Sequence, residues 1–313
     1  ACGTPPRLVM PAVARGSRWH WPAKSLLMQL RIAALRRRPA TIVAVGINYL
    51  TTLLLRTTLA DKALVWELTD AHAGNKFVNV AGIRLLHRSR AVMSPSAAVD
   101  ANIRAVYSYR GCIIRVPFWV RDNDEPYAPM PSQFDTDFLF LGRRDREKGL
   151  SELVRAIAEV VYAWPDVRVH VGGIGNADEF VSLADSLGVR RQITFGTFET
   201  NSDALAALEK SRALILPSYH EGYPLVLLEA CKKSVPFIAT AVGSVPEMLG
   251  DSLAGILVAP RDTSALARAM LSFRSDSAAQ YERRRRAAFA LFQRCSSRVR
   301  IREITADLLA AAM

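Results

Sequence analysis

Along the second half of the chain, short apolar runs alternate with longer stretches in which apolar residues return every third or fourth position. Phe138–Leu141 is one such run and predicts a short buried strand. Gly149–Trp164 follows, with Leu150, Leu153, Ile157 and Val160/Val161 at helical spacing. Val167–Val171 predicts a strand, Ala177–Leu187 a helix and Gln192–Phe195 a strand. Ser202 is the expected cap of a helix running to Lys210. Ala213–Leu216, Phe237–Thr240 and Gly255–Val258 read as further strands. Strands separated by helices of this length imply a parallel, doubly wound α/β sheet.

The first half carries the same rhythm less regularly. A helix is expected from Ala23 to Arg37, a strand at Ala40–Val45, a helix at Tyr49–Leu59 and strands at Ala63–Glu67, Ala91–Ser94 and Cys112–Val116. Residues 117–134 are polar and hold prolines at 117, 126, 129 and 131, the composition of a linker. Ala278–Ala312 reads as a long, arginine-rich helical tail. A length of 313 residues fits two domains at about 150 residues each. The expected division is 1–130, 131–275 and a basic tail, 276–313.

Charge narrows the partners. The formal net charge is +12 and the isoelectric point is near 10.0, which favours phosphorylated small molecules, acidic lipid surfaces or nucleic acid. No aromatic residues interleave with the basic ones as a nucleic-acid platform would require, so no nucleic-acid partner is expected. Arg31, Arg36, Arg37 and Arg38 lie near one end; Arg283 to Arg286, Arg294, Arg298, Arg300 and Arg302 lie near the other. They would suit peripheral attachment to an anionic membrane surface, or equally a solubilising surface. Cys2, Cys112, Cys231 and Cys295 are scattered, which fits a reducing cytoplasm and neither a zinc site nor a disulfide framework. No stretch has the ~20 uninterrupted apolar residues of a membrane span.

The chemistry gathers where strands end. Glu229 sits in the run Leu225–Cys231, which reads as a helix apolar on all sides, opened by Pro224. A carboxylate there costs several kcal/mol unless it is satisfied. The vicinal hydroxyls of a ribose would satisfy it; so would water at a sheet edge. Glu221 precedes that helix, in the loop after Ala213–Leu216, and suits sugar hydroxyls or plain solvent. The run Gly142-Arg143-Arg144-Asp145-Arg146-Glu147-Lys148-Gly149 follows Phe138–Leu141. Arg143 and Lys148 bracket a turn and are able to grip a diphosphate; a solvated turn is the simpler alternative. Asp135-Thr136-Asp137 has metal-binding spacing but lies at the opposite end of the predicted strand, so no metal site is expected.

"FLGRRDREKGLSELVRAIAEV" and "LILPSYHEGYPLVLLEACKKSVPFIATAVGSVPEML" together resemble the nucleotide-sugar domain of retaining glycosyltransferases of family four. "RRRPATIVAVGINYL", "ALVWELTD" and "RAVMSPSAAVDANIR" extend the resemblance more weakly towards the N-terminus. The resemblance implies the GT-B fold: two Rossmann-like doubly wound domains facing a cleft, the N-terminal one here incomplete by some ~50 residues. It implies transfer of a sugar from a UDP-, GDP- or ADP-linked donor to a glycan or lipid-linked acceptor, with retention of anomeric configuration and without a metal or other cofactor. Arg143 and Lys148 would hold the diphosphate, Glu221 the transferred sugar and Glu229 the ribose. Backbone N–H groups in the stretch Gly222, Tyr223, Pro224, Leu225 and Val226 would hold phosphate. Gly173, Gly175, Thr197 and Phe198 would lie near the nucleotide, and Asp70 near sugar or acceptor. A truncated nucleotide-sugar-binding module without transferase activity is the alternative.

Overall fold

A computed structural model of the chain describes residues 42–45, 63–66, 86–89, 91–118, 120, 126–296, 303 and 306, and every statement below concerns these residues. The expected helices at 23–37 and 49–59, the candidate Asp70, and the basic residues 31, 36–38, 298, 300 and 302 lie outside them.

The first sheet is parallel and four-stranded, in the order β1 (Ile42–Val45), β2 (Ala63–Trp66), β3 (Ala91–Ser94), β4 (Ile113–Arg115). Between β3 and β4 runs α1 (Ala97–Tyr107), which begins at Ser96, whose hydroxyl accepts the Val99 N–H. Val99, Ile103 and Tyr107 recur at four-residue spacing and bury one face of it.

The second sheet has six parallel strands. In chain order its elements are β5 (Thr136–Leu141), α2 (Leu150–Val160), β6 (Val169–Gly172), α3 (Asp178–Ser186), β7 (Ile193–Gly196) and α4 (Asn201–Glu209). They continue as β8 (Ser211–Leu216), α5 (Leu225–Lys232), β9 (Phe237–Thr240), α6 (Val245–Leu249), β10 (Gly255–Val258), α7 (Thr263–Ser275) and α8 (Ala278–Ser296). In space the strands run β10-β9-β8-β5-β6-β7. The chain builds β5, β6 and β7 in one direction, then returns to place β8 on the other side of β5. Ligands in open α/β sheets bind where the order reverses in this way. Strand alternation sends Phe138 and Phe140 into the core beneath α2 and Leu139 into the core beneath α5, all fully buried. Each contributes about 1.5–3 kcal/mol by leaving water.

Two expectations are corrected. The cap of α4 is Thr200 and not Ser202: the Thr200 hydroxyl accepts the Asp203 N–H at 3.2 Å, and the Asp203 carboxylate accepts the Thr200 N–H at 3.0 Å. That reciprocal pair satisfies two otherwise orphaned donors, which Ser202 inside the first turn does not. Nor is α5 buried all round. Leu227, Leu228, Ala230 and Cys231 are buried, but Leu225 is 41% exposed and Glu229, one turn on, is half-buried. One stripe of α5 therefore faces outward at the end of β8.

The described part of the arginine-rich tail turns largely to the protein. Arg284 meets Asp276 at 2.7 Å and Arg286 meets Glu282 at 2.9 Å. Arg285, only 2% exposed, donates to the carbonyls of Ala128 and Pro129 at 2.9 and 3.1 Å. The run thus clasps the segment entering β5. No described helix is long and apolar enough to cross a membrane.

Candidate functional site

The loops leaving β5 and β8 meet at the reversal point. The β5 loop tightens into a single 3-10 turn, Arg146–Lys148, capped by the Asp145 side chain, which accepts the Lys148 N–H at 3.2 Å. Gly149 ends the turn with φ +66 and lies so close to the β8 loop that a Cβ would stand 2.0 Å from the Pro217 carbonyl oxygen. That approach is open only to glycine. It delivers Lys148 to Glu221: Lys148 Nζ lies 2.6 Å from Glu221 Oε1, with the side chains 19% and 10% exposed.

Glu221 is held from three sides. The buried Ser218 hydroxyl donates to Glu221 Oε1 at 2.6 Å. The Ser218 carbonyl accepts from the Thr240 hydroxyl on β9. Gly243, at φ +55, packs against the Glu221 backbone, where a Cβ would come within 1.6 Å of the carbonyl oxygen. The Ser244 N–H donates to the Gly222 carbonyl at 3.2 Å. Arg143 stands on the same β5 loop with its side chain 70% exposed and only a surface pair to Asp145 at 3.2 Å. Such a pair contributes little, so reorienting Arg143 towards an anion costs little.

No side chain caps the start of α5 after Pro224. The stretch from Gly222 to Val226 leads from Glu221 into that helix, and the Tyr223 ring meets Phe118 edge-on at 5.7 Å. Burial pushes the Glu229 carboxyl above the ordinary carboxylate range, with Lys232 opposing. Glu229 is therefore a half-desolvated acid on the outward stripe of α5.

The β6 and β7 loops flank the β5 loop. Gly173 (φ +144) lies against Gly142, where a Cβ would meet its carbonyl oxygen at 1.8 Å, and Gly175 (φ +110) lies against Arg144. Phe198 stacks on His170 with ring centroids 5.2 Å apart, and Thr197 beside it is exposed. Burial, and then the nearby Arg144 charge, lower the His170 pKa and favour the neutral imidazole.

The residues expected at the site from Arg143 to Phe198 thus occupy loops after β5, β6 and β7. Those from Glu221 to Glu229 occupy the β8 loop and α5, and Lys148 with Glu221 are in direct contact. Asp70 lies outside the described residues. Arg144 was missed. Its guanidinium donates to the Gly175 carbonyl at 3.0 Å and to the Gly196 carbonyl, tying together the loops after three strands. Ser218 was also missed; its signal is a small hydroxyl three residues before an acid. Asp137, from the metal-like spacing, lies on β5 at the far end, where its carboxylate accepts the Arg168 N–H at 2.9 Å and lies 3.8 Å from Arg168 and Arg212.

The second sheet approaches the first through α6. Glu247 accepts the Ala97 N–H at the start of α1 at 2.8 Å and lies 3.7 Å from Arg115. A carboxylate at a helix N-terminus is favoured by the helix dipole.

The sequence model of the glycosyl transferases group 1 family matches residues 132–290. Glycogen synthase of Mycobacterium tuberculosis is 30% identical over 162 residues, which cover 51% of this chain and 39% of that protein. Among solved structures, sucrose-phosphate synthase of Thermosynechococcus elongatus superposes with a TM-score of 0.70 at 20% identity, over 96% of this chain and 82% of that one. The pneumococcal O-GlcNAc transferase GtfA, solved with UDP and GlcNAc, superposes with a TM-score of 0.71 at 13% identity, over 92% of this chain and 60% of that one. The chain thus spans about two fifths of the length of the curated relative, and the structural likenesses show the fold, which is GT-B. With the family match covering half of its length, including every strand of the second sheet, the chain belongs to the glycosyl transferases group 1 family.

Proposed function

We propose that the protein is a retaining glycosyltransferase of family four that moves a sugar from a nucleotide-sugar donor to a glycan or lipid-linked acceptor. The observation that carries this reading is the Lys148–Glu221 pair at the reversal point of the second sheet, with Arg143 exposed on the same loop. A cation able to hold a diphosphate and an acid able to hold a sugar are thereby neighbours, and both side chains are largely buried.

The donor's diphosphate would lie against Lys148, Arg143 and the N–H groups opening α5, which also benefit from the helix dipole. Glu229 would accept the ribose hydroxyls, and the loops carrying Gly173, Gly175, Thr197 and Phe198 would border the base. During transfer, the bond between the anomeric carbon and the diphosphate oxygen breaks, and its electron pair stays on that oxygen. Fixed cations stabilise this charge; one preorganised donor of this kind contributes about 3–4 kcal/mol to the transition state. The acceptor hydroxyl then bonds to the anomeric carbon from the same face and gives its proton to the departing diphosphate. Glu221 would meanwhile hold the sugar hydroxyls and offset positive charge building at the anomeric centre. No step needs a metal, because Lys148 and Arg143 supply the positive charge.

The deciding experiment is donor hydrolysis by the purified chain, scanned over UDP-, GDP- and ADP-sugars with and without a chelator. Turnover of one nucleotide class, insensitive to chelation, is expected. Tight nucleotide binding with no turnover of any donor would instead favour a binding module.

A further inference from the structure

Tyr219 stands between Ser218 and Glu221 and is gripped by groups distant in sequence. Its N–H donates to the Glu147 carbonyl at 2.8 Å. Its hydroxyl donates to the Glu152 carboxylate on α2. The guanidinium of Arg261, in the loop between β10 and α7, lies over its ring, 3.9 Å from the centroid. Burial and then the bond to Glu152 push the Tyr219 hydroxyl up to about 12, so it remains a donor at neutral pH.

Arg261 adopts φ +66, a left-handed backbone that favours glycine. Its position over the ring is thus maintained against local backbone preference, and such residues concentrate where a site over-determines the chain. Tyr219 and Arg261 border an open trough of about 560 Å³ together with Glu147 and Glu152; neither Lys148 nor Glu221 borders it.

We propose that Arg261 is a positioning residue: stacked on Tyr219, it fixes the Ser218–Glu221 turn and so presents the Glu221 carboxylate to Lys148 and to the donor sugar. This rests on the role proposed above for Glu221. The pillar reaches the site from three elements: Arg261 from the β10 loop, Glu152 from α2 and Glu147 from the β5 loop. It complements the bracing of Ser218 by Thr240. A cation over a Tyr face is attractive without requiring a buried ion pair.

Arg261→Gly separates this role from a general contribution to folding, because glycine relieves the backbone while removing the stacked cation. The expected result in the full chain is an unchanged or higher Tm, with amide exchange at Tyr219 faster by about fivefold. Donor turnover is expected to fall about tenfold with donor KM held within about twofold, since misplacement of a group beside the reacting atoms acts on rate. Arg261→Lys should recover part of both effects. Wild-type exchange at Tyr219 in Arg261→Gly overturns the proposal, and so does unchanged turnover in the presence of accelerated exchange. Should the wild-type chain bind nucleotide without turnover, the transferase reading fails on its own, and the exchange at Tyr219 still decides whether Arg261 fixes the turn.

Discussion

Lys148 on the β5 loop and Glu221 on the β8 loop lie 2.6 Å apart, and the contact joins the two loops that diverge where the sheet reverses its order. The pair is mostly buried, so neither charge is easily left alone. Ion pairs in such surroundings add little net stability when intact, but losing one partner strands the other. The arrangement holds an ammonium at the rim of the sheet without leaving it unneutralised.

A double-substitution cycle tests this. Lys148→Ala and Glu221→Ala are each expected to cost ~1–3 kcal/mol in denaturant unfolding, discounted for partial exposure. The double variant should cost less than the sum by at least ~1 kcal/mol. Strict additivity would show that the pair is incidental.

Gly243 tests the support behind Glu221. Alanine there places a Cβ within 1.6 Å of the Glu221 carbonyl oxygen at φ +55, so the turn must move. Donor turnover is expected to fall about tenfold, as befits a displaced group beside the reacting atoms. Gly188, at φ +70 with open space around it, is the control. Gly188→Ala should lower stability by ~1 kcal/mol through backbone strain alone and leave donor turnover unchanged. Equal effects on donor turnover from both substitutions would contradict the account.

Glu229 gives a pH dependence. Burial raises its pKa, so its carboxyl takes up a proton at a pH where ordinary carboxylates are still ionised. The ionised form is the one that accepts two ribose hydroxyls. Nucleotide affinity should therefore fall as pH is lowered through this raised value, and Glu229→Gln should flatten the profile. The stability contribution has the opposite sign: a raised carboxyl pKa stabilises the folded state most at low pH, and this is lost as pH rises through it. Calorimetric titration, across the acidic range, of the nucleoside diphosphate whose sugar the chain turns over checks the first statement; an identical profile in Glu229→Gln would exclude it.

The alternation of strands and helices in the second half was legible because both faces of a parallel sheet are covered, leaving compact apolar runs such as Phe138–Leu141. Lys148, Glu221 and Glu229 stood out because charge follows those runs at strand ends or interrupts a helix, but that pattern alone left solvated alternatives open, and their expected roles came from the family resemblance. Arg144, Tyr219 and Arg261 were not. Their partners are backbone carbonyls or a ring on loops far away in sequence, and no local spacing records such contacts. The clasp role of Arg285 was hidden for a related reason: within four consecutive arginines, only packing distinguishes the one that is buried.

The most direct measurement compares kcat and the dissociation constant of the intact nucleotide-sugar donor in Arg143→Ala and Glu229→Ala. The account predicts that Arg143→Ala loses about 100-fold in kcat with a much smaller loss of donor affinity, because its charge acts most on the diphosphate as negative charge builds there. Glu229→Ala should weaken donor binding about tenfold with kcat retained, because the ribose would be held alike before and during transfer. The reverse pattern, or two variants that match the wild type, would contradict it.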